Sequence, residues 1–204
     1  LAAFKKFRNK YKKKDYYSAK AQQEMESCTW VIDHQQQVDS IKIEHLGKEI
    51  NTTKSEFNPI PVFPDRLQFS SLRNISGDEK NEKYLTRIYN QPPNPAPVYT
   101  PNGVNESLHV GNGAYTADSK RFFFTQCEQK DATHTRCDIY VTRYENFKWT
   151  DAEKLSDHVN DPSSTNTQPS VGYDKQGNEV LFFASDRTGG QGNMDIWMAR
   201  LKAD

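Results

Sequence analysis

The sequence has few of the features that mark membrane-spanning or catalytic chains. No stretch approaches the roughly 18 consecutive apolar residues of a membrane helix, and the first residues do not form a signal-peptide pattern. Only three cysteines are present, and neither a Gly-x-Ser-x-Gly nor a His-Glu-x-x-His motif occurs. The five histidines are scattered among polar segments. We therefore expect no catalytic residue, no cofactor and no metal ion in this chain.

A phosphate-binding loop is also missing, although residues 185–200, SDRTGGQGNMDIWMAR, are rich in glycine. Such a loop requires a lysine at a fixed place and a helix after the glycines. Here the glycines lie between the apolar run 180–184 and the run 195–198, which both have the composition of strands. Because glycine tolerates positive φ in tight turns, the pattern predicts a hairpin.

What the sequence does contain is a repeat built of short strands. Its central aromatic residues, Phe69, Phe124 and Phe183, are spaced by 55 and then 59 residues. Each lies in an apolar run that follows one extended stretch and precedes another strand-like run. The preceding stretches are 58–62, 113–116 and 168–171, and the following runs are 84–89, 137–141 and 195–198. A fourth element recurs less often, since 45–51 resembles 154–160, so the unit has up to four strands.

Repeats of this length and composition are typical of β-propeller blades, because one four-stranded sheet buries both faces only between neighbours. The Phe-Ala-Ser-Asp-Arg run, the glycine turn and Asp-Ile-Trp resemble the repeats of TolB-type β-propellers. They are most similar to propellers of Bacteroidetes periplasmic proteins that also contain tetratricopeptide-like helical repeats and an OmpA-type peptidoglycan-binding domain, as a type IX secretion component does. The resemblance covers roughly residues 40–204 and is strongest over 166–200.

The resemblance implies a mainly β fold with a partial propeller of about three four-stranded antiparallel blades. We expect a helical repeat-like segment at 1–34, a linker at 35–40 and the propeller at 41–204, with blades at about 41–100, 101–150 and 151–204. Closed propellers usually have about four to eight blades. We therefore expect this chain to be part of a longer protein.

The N-terminal segment combines positive charge with a helical pattern. Residues 1–14 hold seven basic and no acidic side chains, which leaves 20 basic and 27 acidic residues over 15–204. Clustered Lys and Arg bind nucleic acid or an anionic membrane surface, but a solvated helix face opposite Phe4, Phe7 and Tyr11 is the favoured interpretation. Asp15 is the expected N-cap of a second helix, to about Asp33. Its apolar stripe contains Tyr17, Ala21, Met25, Cys28 and Ile32.

A proline-rich segment interrupts the repeats at 90–105. It contains Pro92, Pro93, Pro95, Pro97 and Pro101. Proline removes backbone donors and favours polyproline II, so the segment is either a rigid crossover between blades or, less favoured, a ligand of SH3 type.

Two of the three cysteines flank the middle hairpin. Cys127 ends one strand and Cys137 begins the next, which allows a disulfide, and in the exported family that the sequence resembles such a pair forms in the oxidising periplasm. The alternative is a zinc site with His134, which lacks a convincing fourth ligand. Cys28 lies on an apolar helical stripe and is interpreted as a buried small hydrophobe.

The remaining polar repeat positions are interpreted as structural. Asp118, Asp138, Asp174 and Asp195 lie at expected turns or strand starts, where Asp accepts backbone N–H groups. Arg73 and Arg187 follow equivalent strands and are expected to pair with carboxylates or carbonyls. Trp197 belongs to the strand that begins at Asp195, whose carboxylate fixes its start.

Two classes of function follow. The resemblance implies a non-catalytic protein–protein interaction scaffold in the periplasm, associated with the outer membrane and related to type IX secretion and protein transport. Its partners would be other envelope proteins, with peptidoglycan held by a domain outside this chain, and no nucleic acid. The alternative is a propeller that binds a glycan or peptide, or the propeller domain of a hydrolase.

Overall fold

The computed structural model describes residues 1–34, 42–62, 66–78, 80–91, 98–99, 101–131 and 134–201, with the backbone alone for 98–99. The predicted linker at 35–40 and most of the prolines of 90–105 lie outside these residues. The chain divides into two compact units, Leu1–His45 and Leu46–Asp204, called unit 1 and unit 2. It is mainly β, and the sheet pairs are antiparallel.

Unit 1 contains two helices joined by a short turn, α1 (Ala2–Lys10) and α2 (Tyr16–His34). Asp15 caps α2, since its carboxylate accepts the backbone N–H groups of Tyr17 and Ser18 at 3.1 and 3.2 Å. Ala21 is the buried residue of α2, whereas Tyr17 is 64% exposed. Neither described helix is long and apolar enough to cross a bilayer. That the pair belongs to a helical-repeat array stays a prediction.

Unit 2 consists of three successive antiparallel sheets, A, B and C. Sheet A holds β1 (Glu56–Val62), β2 (Arg66–Asn74), β3 (Tyr84–Asn90) and β4 (Val98–Tyr99), in that order. Sheet B holds β5 (His109–Tyr115), β6 (Arg121–Gln129), β7 (Thr135–Glu145) and β8 (Lys148–Trp149), and β9 (Glu153–Lys154) also pairs with β7. Sheet C holds β10 (Asn166–Tyr173), β11 (Glu179–Ser185) and β12 (Asp195–Arg200).

The apolar core lies in layers between successive sheets. Ile88 of sheet A packs in one cluster with Phe122 and Phe124 of sheet B. On the other face of β6, Phe123 packs with Leu181 and Phe183 of sheet C. Successive side chains of a strand point to opposite faces, so the run Phe122–Phe124 fills both layers, and these side chains are at most 2% exposed. The middle sheet is therefore buried on both sides.

Each sheet begins with a strand that carries the same irregularity. In β1, β5 and β10 the register shifts so that two residues lie opposite one residue of the next strand. The first residue of each pair, Asn58, Asn112 or Gln168, has φ between 52° and 54°. Positive φ is uncommon for residues other than glycine, and in a bulge it turns the backbone away from the ladder.

The bulges connect each sheet to the one before it. The backbone N–H of Asn112 donates to Ser70 Oγ of sheet A at 3.0 Å, and the N–H of Gln168 donates to Thr125 Oγ1 of sheet B at 3.2 Å. Ser70 and Thr125 hold the same register position in β2 and β6, opposite the residue that precedes each bulge. We call these two hydrogen bonds the bulge contacts.

The second bulge residue differs between the two connections. Gly113 donates its N–H to Asn58 Oδ1 at 2.6 Å, whereas its counterpart Pro169 has no N–H to donate and is buried. A Cβ on Gly113 would lie 2.2 Å from Phe122 Cζ. Glycine is therefore required here because the ring of the core phenylalanine lies against its Cα.

The segments 45–51 and 154–160, expected to recur as strands, fold differently. Among the described residues only Lys154 is in a strand, and the rest form turns or irregular backbone. The additional strands of sheets A and B come instead from β4, β8 and β9. Both segments are closed by backbone turn hydrogen bonds and held by an arginine side chain, and Asn160 also bonds to the backbone of Ile139. A strand pattern does not reveal these contacts.

A histidine links sheets A and B close to the bulge of β5. His109 of β5 accepts the backbone N–H of Thr86 of β3 through Nδ1, at 3.1 Å. Burial lowers the pKa of His109, and the positive charge of Arg87 lowers it further. An accepting Nδ1 requires a deprotonated nitrogen, so the geometry and the pKa both favour the neutral ring.

We expect Thr125→Val to lower the free energy of unfolding by about 1–3 kcal/mol, because the N–H of Gln168 loses its acceptor while the side-chain volume is kept. Urea unfolding measures the change. Thr188→Val, at an exposed position, is the matched control and should change stability by less than about 0.5 kcal/mol. Equal effects of the two variants would show that the bulge contact contributes nothing.

His109 should make unit 2 less stable in acid. An unfolded histidine binds a proton below about pH 6.5, while the lowered pKa keeps folded His109 neutral, so its contribution is complete above that pH and lost as the pH falls. The free energy of unfolding should fall by up to about 1.4 kcal/mol per pH unit below pH 6.5. His109→Gln should flatten this part of the profile, and an unchanged slope would contradict the assignment.

Candidate functional site

The three repeat phenylalanines lie at one equivalent position in unit 2. Phe69, Phe124 and Phe183 are each the single residue that lies opposite a bulge, in β2, β6 and β11. Each also pairs with an aromatic residue of the next strand. These partners are Tyr89, Tyr140 and Trp197, respectively. Each repeat phenylalanine therefore lies opposite the bulge of the first strand on one side and opposite an aromatic residue of the third strand on the other.

Arg187 holds the turn that precedes sheet C. Its guanidinium donates to the carbonyl oxygens of His158 and Val159, with 3.0 Å to the first, and its Nε donates to Ser185 Oγ at 3.1 Å. The charge also lies 4.8 Å from the ring centre of Phe183. A planar guanidinium serves several acceptors and one ring face at once, which a lysine cannot do.

Arg73 repeats this arrangement in sheet A. It donates to the carbonyl oxygens of Glu49 and Ile50 at 3.2 and 3.0 Å and to Ser71 Oγ at 3.0 Å, and lies 4.3 Å from the ring centre of Tyr89. Both arginines bond to carbonyls of the segment before their sheet. The resemblance between 45–51 and 154–160 is thus a repeated arginine-bound turn.

The middle sheet replaces the arginine with other interactions. Glu128 occupies the corresponding position, and the loop before the sheet is held by Gln126, whose Oε1 accepts the N–H of Asn105 at 2.9 Å. Cys127 and Cys137 lie directly opposite in the register of β6 and β7, and a disulfide joins them, with Cα atoms 4.0 Å apart. The disulfide covalently links the two strands of the middle hairpin, β6 and β7.

The zinc alternative has no geometric basis in the residues that the structure describes. His134 is exposed and its Nδ1 lies 2.9 Å from Asp131 Oδ2. No group of three His, Cys, Asp or Glu side chains among the described residues is arranged to hold a metal ion. Cys28 is a free, half-buried cysteine of α2.

Three of the four singled-out aspartates accept backbone N–H groups in turns. Asp195 Oδ2 accepts from Gln191 and Gly192 at 2.8 and 3.1 Å, so it closes the glycine loop before β12. Asp118 and Asp174 accept from turn residues in the same way. Side-chain hydrogen bonds from Thr116 to Asp118 and from Asn178 to Asp174, with the backbone hydrogen bonds second, hold the pKa of both carboxyls below the usual range.

Asp138 differs from the prediction of a strand start. It lies inside β7, opposite Gln126, and its Oδ2 binds Lys154 Nζ of β9 at 2.8 Å. The aspartate helps to attach β9 to sheet B. Because β7 already begins at Thr135, three residues earlier, Asp138 lies within the strand and forms an ion pair with the neighbouring strand.

The first strands of the three sheets border a common groove of about 550 Å³. The size lies within the range of ligand sites. Its lining is apolar and small-polar: Pro59, Ile60, Pro61, Val62, Gly113, Ala114, Tyr115, Ser119, Trp149, Ser170 and Val171. Each of the three bulged strands contributes, so the bulges set the shape of the groove wall. We call this surface the inner-strand groove.

Among the described residues that line the groove there is no acid, no base and no histidine, and Tyr115 is their one titratable side chain. Burial raises the pKa of Tyr115, so the phenol stays neutral at physiological pH. Its ring lies 6.0 Å from that of Trp149 at 58°. The two aromatic faces are suited to binding by stacking and apolar contact.

The sequence did not identify this groove. Tyr115 and Trp149 lie outside the repeated phenylalanine positions, and β8 holds only two residues, too few to show a period. The bulges share no clear signal either, because Asn58, Asn112 and Gln168 are polar but the residues around Gln168 are polar too. Comparison of the chain with protein-family models, with curated proteins and with solved structures gives no match.

We expect Arg187→Lys to lower the free energy of unfolding by about 2–3 kcal/mol, because one ammonium group cannot serve the two carbonyls, the serine and the ring together. Arg200→Lys is the matched control, since Arg200 is exposed and pairs with Asp174 only at 3.5 Å. Chemical denaturation of both variants tests the difference. If Arg187→Lys is as stable as the control, the turn does not depend on the guanidinium.

Proposed function

We propose that unit 2 is a sector of a β-propeller and that the inner-strand groove docks a protein partner, so that the chain serves as a non-catalytic scaffold. The propeller proposal is supported by three sheets that begin with the same bulge and pack in sequence, each joined to the one before. In a propeller the first strand of every blade lines the central channel. The inner-strand groove would then be part of that channel.

The observation that carries the docking proposal is the chemistry of the groove. It combines two aromatic faces, two prolines and aliphatic side chains with almost no charge. Protein–protein interfaces are enriched in aromatic residues and depleted of charge at their centre. The first strands also lie at the edges of their sheets, where backbone groups are open to an extended segment.

We propose an extracytoplasmic, outer-membrane-associated assembly as the setting, with type IX secretion as the specific case. The resemblance to TolB-type repeats of periplasmic proteins motivates this setting. The Cys127–Cys137 disulfide is consistent with it, because such bonds persist in oxidising compartments. Envelope proteins would be the partners, and peptidoglycan would be held by another part of a longer protein.

A small-ligand function is the second candidate, and the groove volume of about 550 Å³ favours it specifically. A glycan stacks its ring faces on aromatic side chains, which Tyr115 and Trp149 supply. This candidate predicts saturable binding of a soluble saccharide or short peptide, without any stable protein complex.

Ser170→Arg tests the two candidates without removing packing, because Ser170 is an exposed side chain of the groove wall. Affinity capture from envelope extracts should recover specific proteins with the wild type, and the variant should recover at least about tenfold less, since an unpaired charge opposes an apolar contact. Thr188→Arg adds the same charge at an exposed position outside the groove lining and should retain capture.

Equal capture by both variants would exclude the groove as the docking surface. Binding of a glycan or peptide array that Ser170→Arg abolishes, with no protein recovered, would establish the ligand-binding alternative. Thermal unfolding of each variant confirms that the fold is intact.

A further inference from the structure

Unit 1 concentrates positive charge within its first 14 residues. The seven basic side chains there are all exposed, and none forms an ion pair with a carboxylate of the described part of the chain. They are Lys5, Lys6, Arg8, Lys10, Lys12, Lys13 and Lys14. We call residues 5–14 the basic end. Unpaired charges at this density create a strong local positive potential.

One acid, Asp15, lines the same cleft as the lysines, and it offsets only one of the seven positive charges. Asp15 accepts the hydroxyl of Tyr11 at 2.6 Å and the N–H groups that begin α2, so its oxygens are occupied by the turn itself. The turn holds Lys12, Lys13 and Lys14 beside a cleft of about 530 Å³. Three lysines are therefore presented together.

Exposed aromatic rings adjoin the lysines. Tyr16 and Tyr17, which follow the cap directly, are 72% and 64% exposed. Their rings are apolar and their hydroxyls polar, a combination that is enriched at the interface between lipid headgroups and acyl chains. A solvated helix face accounts for the lysines alone and gives no reason for two neighbouring exposed tyrosines.

We propose that the basic end and the two tyrosines bind the surface of an anionic phospholipid bilayer. Lys12, Lys13 and Lys14 meet the headgroups, and Tyr16 and Tyr17 enter the interfacial layer. Charge complementarity selects this partner, because residues 1–14 hold seven basic and no acidic side chains, whereas residues 15–204 hold 20 basic and 27 acidic side chains. This inference does not depend on the docking function of the groove.

A bilayer fits the basic end better than a nucleic acid does. Six of the seven charges are lysines, which act as point charges on a delocalised surface. Arginine supplies the planar fork that recognises phosphates and guanine, and Arg8, the one arginine of the basic end, is bonded to Gln22 Oε1.

Vesicle co-sedimentation of the 204-residue chain tests the proposal. At about 0.1 M salt the protein should sediment with vesicles of phosphatidylglycerol and phosphatidylcholine and remain in solution with phosphatidylcholine alone. Raising the salt to about 1 M should release it, because screening shortens the reach of the charges. Equal binding to both vesicle types would overturn the electrostatic proposal.

Two sets of variants locate the surface. Lys12→Gln, Lys13→Gln and Lys14→Gln together should weaken partitioning by about 100-fold, at roughly fivefold for each lysine. The same change at the exposed Lys120, Lys148 and Lys175 should leave binding unaltered. Tyr16→Ser with Tyr17→Ser should also weaken binding, whereas Tyr173→Ser, at a residue 58% exposed, should not.

Circular dichroism of each variant separates loss of binding from loss of the helices. If both lysine sets weaken binding equally, the surface is not the basic end. A labelled single-stranded or duplex oligonucleotide that binds at the same salt, without vesicle binding, would replace the bilayer with nucleic acid and overturn the proposal.

Discussion

The arrangement of unit 2 depends on the hydrogen bond between a bulge and the sheet before it. Asn112 and Gln168 adopt positive φ, which directs their N–H groups out of their own sheets to Ser70 and Thr125. The hydrophobic layers hold the sheets together without directional bonds, whereas a hydrogen bond joins two particular atoms. The bulge contacts oppose displacement of one sheet over another, together with the hydrogen bonds from Gly113 to Asn58 and from Thr86 to His109. Phe124 lies opposite the bulge that contains Asn112.

The same constraint produces the candidate site. The strands that carry the bulges also line the inner-strand groove, so the contact that sets sheet spacing also sets groove width. The groove is left with aromatic and aliphatic surface, which is suited to recognition.

Much of the β architecture follows from the sequence, because alternation and glycine turns are local signals. The hairpin around Asp195 is an example, since the strands and the turn residue are all readable. The bulges cannot be predicted in this way, because a single polar residue in an extended stretch shows no periodicity. The turn at 154–160 resembles a strand in composition, but its conformation depends on hydrogen bonds between residues far apart in the chain, from Arg187 to His158 and Val159 and between Asn160 and Ile139. Tyr115 and Trp149 meet through tertiary packing, which no local pattern encodes.

Native-state hydrogen exchange at the bulges is the most direct test of the central claim. The N–H groups of Asn112 and Gln168 should exchange as slowly as those of the adjacent strands, because they open only when neighbouring sheets separate. Asn146, another positive-φ residue but in an exposed turn, provides the reference for an unprotected position. Exchange at Asn112 and Gln168 as fast as at Asn146 would show that the bulges do not join the sheets.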